Sequence, residues 1–216
     1  MWRAFLAMAL AAALTACGGP RVGTGQAPAA IPSEPIRVAE GFAACREGLT
    51  TSGVLFEWIP PLRTKAGCGF DEGIRVRATP SPLNQPATLA CPMALALTRF
   101  DLDVVQPLAQ RHFGRRVTKI HHVGGYHCRV IAGSRNGKWS QHAFGNAIDV
   151  IGFDLAGGDR LNIARDWRAA GPRSAFLHDV ARAACGVFRV VLTPAHDRAH
   201  HDHFHLDNGP DRLCGI

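Results

Sequence analysis

Apolar residues recur at helical spacing from Thr88 to His112, which predicts a long helix that Pro107 either kinks or divides in two. Shorter helices are predicted over residues 40–50 and over Phe176–Cys185. Strand-like runs follow a different rhythm. VTKIHHV at 117–123 ends in a Gly-Gly turn, AIDVIGF runs through Ile151, FRVVL spans 188–192, and HFHLD forms a last strand. The WIPPL and ATPSPL stretches read as loops and short extended pieces. Helices and strands are thus interspersed with short returns, which predicts an α+β fold rather than a doubly wound sheet. No internal repeat is present.

The period of two in the last strands has a chemical consequence. Side chains alternate between faces, so His203, His205 and Asp207 share one face, while AIDVIGF carries Asp149 on one face of an otherwise apolar strand. Two neighbouring strands of one sheet would bring those faces together.

The 216-residue length suits one domain with a real core. Residues 1–17, MWRAFLAMALAAALTAC, hold Arg3 and then an unbroken apolar run too short to cross a bilayer, which is the pattern of a secretory signal. The ending LTAC before Gly18 resembles a bacterial lipobox, with Cys17 as the acylated residue. Residues 18–38 are rich in Gly, Pro and Ala and read as a flexible linker, leaving 39–216 as the folded domain. The expected location is the periplasm, with a lipid anchor on Cys17. Gly18 is not the Asp that commonly marks inner-membrane retention, which favours the outer membrane.

With Cys17 assigned to lipid, Cys45, Cys68, Cys91, Cys128, Cys185 and Cys214 remain. An even number in an exported chain predicts three disulfides, and no CxxC spacing points to a cysteine metal site. Cys185 with Cys214, and Cys45 with either Cys68 or Cys91, are the candidate pairings. The formal charge of +7 falls to +6 without Arg3, since residues 1–16 hold no acid. Scattered arginines such as Arg63, Arg75, Arg77, Arg115 and Arg116 form no dense basic run with interleaved aromatics, so nucleic acid is not an expected partner.

The segments SQHAFGNAID at 140–149 and HHDHFHLD at 200–207 carry the candidate chemistry. A catalytic zinc needs three nitrogen or oxygen ligands and an open position, and His142, Asp149 and His205 fit that count. Gly145 turns the chain between the first two. An acid within AIDVIGF must be paired if buried, and a metal is a suitable partner. Asp207, on the ligand face, is placed to orient a histidine. His196, His200 and His201 are expected to be solvated or to lie beside the site. Of the adjacent His121 and His122, one is expected to face solvent. Trp139 and Trp167 are expected in packing, and Tyr126 and His127 carry no assigned role. No GxSxG elbow or serine nucleophile is required.

The combination Ser140-x-His142-x-x-Gly145-x-Ala147-x-Asp149 with Asp202-His203-Phe204-His205 resembles the zinc D-Ala-D-Ala peptidases, a group that extends to lysostaphin-type peptidases and the hedgehog domain. Taken with YHCR at 126–129, the stretch from Cys45 to Cys214 resembles the bacterial extensin-like C-terminal domain family. The resemblance implies a small antiparallel sheet flanked by helices, with Zn2+ held by His142, Asp149 and His205. It further implies Asp202 as general base, His203 bordering the site, Ser140 contacting substrate and Arg129 steadying its carbonyl. Asp202 stands where the peptidases commonly have Glu, a longer arm. The implied activity is zinc-dependent hydrolysis of peptide (amide) bonds in peptidoglycan by a monomer. The alternative is a zinc-stabilised module that binds cell wall or protein without cleaving it.

Overall fold

The computed structural model describes residues 42–216 apart from Ala132 and Arg135, so the leader, Cys17 and the 18–38 linker lie outside the described residues. The chain begins with helix α1 (Phe42–Thr51), then β1 (Leu55–Ile59), a two-stranded ribbon of β2 (Leu62–Arg63) and β3 (Gly69–Phe70), β4 (Gly73–Ala78) and β5 (Pro82–Ala90). Helices α2 (Cys91–Arg99) and α3 (Gln106–Phe113) flank a π turn, and β6 (Val117–Gly124) follows. Next come β7 (Ala147–Leu155), β8 (Arg160–Asn162), α4 (Ile163–Asp166), α5 (Pro172–Ala184), β9 (Val190–Leu192), β10 (Phe204–Asp207) and β11 (Leu213–Gly215).

The fold is α+β, but its sheet is neither small nor purely antiparallel. Nine strands join in the order β1-β4-β5-β6-β7-β10-β9-β11, with β8 beside β7. The β5–β6 and β9–β11 pairs are parallel, and β5 meets β6 through the single pairing of Leu83 with Ile120. The WIPPL and ATPSPL regions contribute to a three-stranded antiparallel unit, β1-β4-β5, that loop-like prolines concealed. In GIRVRA the alternation is plain once seen: Ile74 and Val76 are fully buried while Arg75 and Arg77 are exposed.

The long helix starts later than its periodicity predicts. Thr88–Ala90 belong to β5, and Pro92 in the first turn of α2 sets the start at Cys91. Pro107 does not break the helical path either. It sits in the first turn of α3, directly after a π turn over Phe100–Val105 that separates α3 from α2 while the backbone stays helical. Asp101 in that turn is fully buried and accepts hydrogen bonds from Thr79 Oγ1 and Ser81 N, both at 2.7 Å, and from Ser81 Oγ and Gln106 Nε2.

One apolar core joins helices to sheet, with Phe100, Phe153, Phe176 and Phe204 fully buried in it. Truncating any of these to Ala costs about 3–5 kcal/mol. Three disulfides close the fold: Cys45–Cys91, Cys68–Cys128 and Cys185–Cys214. The second of them ties the β2–β3 ribbon to the segment after β6.

Along β7 and β10 the faces separate as their alternation requires. Ile148, Val150, Phe204 and Leu206 enter the core, while Asp149, His205 and Asp207 stand on the opposite face. Thus the apolar half of each strand anchors what the polar half presents.

Candidate metal centre

His142 lies on a single 3-10 turn, Gln141–Phe144, whose boundaries are written in its flanks. Ser140 is the N-cap, its Oγ accepting the His142 N–H at 3.4 Å, and Gly145 ends the turn with φ +67°. A Cβ on Gly145 would also come within 2.7 Å of the Ala90 nitrogen, so the position requires glycine twice over. The turn buries His142 to 2 % side-chain exposure and aims its ring at β7 and β10.

There it meets Asp149 and His205, which are direct partners in the antiparallel β7–β10 register. His142 Nε2 is 3.1 Å from Asp149 Oδ2 and 3.2 Å from His205 Nδ1, and His205 Nδ1 is 2.9 Å from Asp149 Oδ1. One ligand atom from each residue fits within 4.8 Å of the others, the single such group among the described residues.

The outer nitrogens of both rings are fixed. His142 Nδ1 faces the Gly125 carbonyl at 2.6 Å and His205 Nε2 faces Asp207 Oδ2 at 3.0 Å. Those oxygens can only accept, so both outer nitrogens carry hydrogen. His142 Nε2 and His205 Nδ1 then converge on a carboxylate and on each other. They cannot both point a proton across 3.2 Å. Without a cation, one proton must serve several acceptor atoms. A divalent cation would satisfy all three ligands, and the oxygen-held outer nitrogens are what metal-bound histidines use. The donor set therefore fits zinc.

The electrostatics express the same conflict. Burial pushes the His205 imidazolium down, but Asp149 and Asp207 outweigh it and raise the pKa to about 9. Burial likewise pushes the Asp149 carboxyl up, and the bonds with His142 and His205 overcome this and hold it well below the usual carboxylate range.

The remaining expected residues are less close. Asp202 is half exposed, and its Oδ1 accepts from His203 Nδ1 at 2.8 Å, which holds the carboxyl below its ordinary pKa. His203 Nε2 in turn lies 3.7 Å from Asp149 Oδ1. Asp202 thus reaches the centre through an imidazole. Ser140 is buried and acts as a cap. Arg129 accepts the Ser140 N–H with its carbonyl, and its guanidinium makes no ion pair or hydrogen bond among the described residues. His121 and His122 are both buried, because a register irregularity between them breaks the alternation.

The family described as "Extensin-like protein C-terminus" matches residues 43–215, nearly the whole described body. The chain belongs to the extensin-like family. No curated protein and no solved structure matches it. In this extensin-like chain, sequence reasoning gave no place to the Gly125 carbonyl, since a backbone acceptor leaves no signature in residue type. His200, expected with His196 and His201 to be solvated or to lie beside the site, lies beside it. That ring stands 5.8 Å from the His205 ring and 5.2 Å from the His203 ring, and Asp197 Oδ1 holds its Nδ1 at 2.8 Å.

Proposed function

We propose that this extensin-like protein is a zinc-dependent hydrolase of peptide (amide) bonds in peptidoglycan. The observation that carries the reading is the convergence of His142 Nε2, Asp149 and His205 Nδ1, with the outer ring nitrogens already engaged. Zinc at these ligands supplies Lewis acidity that activates water and polarises an amide carbonyl.

The chain's own residues supply the proton path. Asp202 fixes the His203 N–H on Nδ1, which leaves a lone pair on Nε2 beside Asp149. His203 Nε2 accepts the proton of the attacking water and delivers it to the leaving amine, while Asp202 stabilises the intervening imidazolium. The C–O bond forms first, as water adds to the carbonyl carbon and gives its proton to the imidazole, and the C–N bond then breaks as that proton reaches the amine nitrogen, giving a carboxylate and an amine with no redox partner. This arrangement accommodates the short Asp202 arm, because the imidazole spans the distance that a longer acid would cover. Arg129 is the candidate for carbonyl contact, while Ser140, expected to contact substrate, is buried and serves instead as the cap of the His142 turn.

Kinship with the zinc D-Ala-D-Ala, lysostaphin and hedgehog group is part of the same proposal. It is supported by ligand spacing and by the α+β architecture. A periplasmic lipoprotein anchored through Cys17, monomeric and facing the cell wall, agrees with the leader and the three disulfides.

The test is incubation of zinc-loaded protein with purified sacculi, followed by mass analysis of released fragments. Zinc-dependent appearance of new amine and carboxylate termini is expected. Unchanged muropeptides across pH and metal conditions would replace the hydrolase with a zinc-stabilised binding module.

A further inference from the structure

Gly124 ends β6 directly opposite Asp149, which has His205 as its partner on the other side. Opposed residues of an antiparallel pair project from the same face, with Cβ atoms about 4.5–5.5 Å apart. A side chain at position 124 would therefore stand on the face that carries the candidate metal centre, on the strand next to Asp149. Glycine leaves that place bare.

Nothing within the protein accounts for this choice of residue. Of the five glycines in the strands, four meet a neighbour at the first added carbon. A Cβ would lie 1.8 Å from the Leu62 oxygen at Gly69, 2.2 Å from the Phe70 ring at Gly73, 2.2 Å from the Leu161 oxygen at Gly152 and 2.6 Å from the His196 ring at Gly215. The adjacent Gly125 is constrained as well, since its Cβ would come within 2.5 Å of the Thr88 oxygen. At Gly124, by contrast, no atom beyond its chain neighbours lies within 4 Å, and its φ is outside the left-handed region. A strand glycine costs conformational entropy, and one with neither a steric nor a conformational need marks a place where another backbone or a ligand approaches closely.

The residue before it points the same way. His122 is paired with Val150 and Gly124 with Asp149, so Val123 is the extra residue of a β-bulge. Bulges lie beside active sites because they re-aim a side chain. Val123 is 58 % exposed, whereas Val117 and Ile120 of the same strand are buried. An aliphatic side chain rather than an aromatic ring thus flanks the bare position, which suits an apolar peptide side chain and not the face of a sugar.

We propose that the space over Gly124 is a peptide-binding subsite, in which an extended substrate lays its main chain over Gly124 and an apolar side chain against Val123. The subsite deepens the hydrolase reading above and rests on it for the cleavage step alone.

The test compares Gly124→Ala and Gly124→Val with the unaltered full chain, all zinc-loaded. Melting temperature, bound zinc and sedimentation are measured, the last with purified sacculi and with sacculi stripped of their peptides by an amidase. Both variants are expected to melt no lower than the unaltered protein and to match it in bound zinc. Retention on intact sacculi, and any fragment release, is expected to fall about tenfold or more in Gly124→Val and less in Gly124→Ala. Val123→Ser is expected to weaken retention as well, and stripped sacculi are expected to retain none of the proteins. Undiminished retention of Gly124→Val, a lower melting temperature or lost zinc in both variants, or full binding to stripped sacculi would each overturn the subsite. If the unaltered protein releases no fragments while Gly124→Val still loses retention, the hydrolase reading fails and the subsite stands in a binding module.

Discussion

Asp149 on β7 and His205 on β10 are opposed residues of one antiparallel pair, and the bond between their side chains, 2.9 Å from Oδ1 to Nδ1, lies directly across the strands. The neighbouring pairs, Phe204 with Val150 and Leu206 with Ile148, are buried. Register is therefore fixed from the core side: a slip of one residue would drive His205 into the apolar interior. The site inherits its precision from packing, and removing a ligand should leave the fold intact. Asp149→Ala is expected to retain native circular dichroism and to lose the zinc that the unaltered protein is expected to keep through gel filtration. Full zinc retention by this variant would show that the cluster is not the binding site.

Which residues share the polar face was legible beforehand because it depends only on a period of two, whereas the opposition of Asp149 and His205 depends on the β7–β10 register. His205 and Asp207 alternate with Phe204 and Leu206, and Asp149 alternates with Ile148 and Val150. Other features were hidden for physical reasons. Prolines at 82 and 86 masked β5, since a strand containing proline reads as a loop from sequence. The π turn before Pro107 has no residue-type signal of its own. Spacing left Cys45 open between two partners, and the Cys45–Cys91 and Cys68–Cys128 bridges depend on how α1 meets α2 and where the ribbon lies.

Asp207 bonds His205 Nε2 with one oxygen and accepts the Gly209 N–H with the other, at 2.8 Å. In the proposed zinc centre it is a positioning residue for a ligand. Asp207→Asn keeps the shape but loses the negative charge that raises ligand basicity. Zinc affinity is expected to fall about 10–100-fold, as measured by competition with a chelating dye. An unchanged affinity would remove Asp207 from the metal's support.

The pH response of the metal-free protein follows from two opposite shifts. His205 titrates at about 9 when folded against 6.5 as reference, so its contribution is complete below pH 6.5 and is lost as pH rises through 9. Asp149 is depressed, so its contribution is complete above about pH 4 and is lost as pH falls further. The melting temperature of chelator-treated protein is expected to be highest between those limits and to decline toward pH 9. Zinc at the proposed centre would have to displace the His205 proton, so its affinity is expected to rise about tenfold per pH unit up to pH 9. Calorimetry in buffers of different ionisation enthalpy measures that proton, and release of none would contradict the charged state of His205.

The Cys68–Cys128 bridge encloses a 60-residue separation, for which chain entropy gives about 4 kcal/mol. Cys128 adjoins Arg129, whose carbonyl holds Ser140, the cap of the His142 turn. The double variant Cys68→Ser with Cys128→Ser is expected to lower unfolding stability by up to that amount and to weaken zinc binding. Urea titration and dye competition on one preparation report the two effects. Lost stability with unchanged zinc affinity would confine the bridge to the fold.

Asp202 and His203 distinguish hydrolysis from binding, because His203 lies beside Asp149 and is held by Asp202, yet neither is one of the three proposed zinc ligands. His203→Ala removes the nitrogen proposed to accept the proton and is expected to lower turnover about 10²–10⁴-fold, with bound zinc kept. Asp202→Ala leaves the imidazole but frees its ring to rotate and to change tautomer. A smaller loss than in His203→Ala is therefore expected, together with an altered pH profile. Equal losses would instead assign Asp202 a direct part in proton transfer. If neither substitution changes the fragments released from sacculi while both proteins still sediment with them, the pair serves recognition, and the metal centre holds a surface for binding rather than a bond for cleavage.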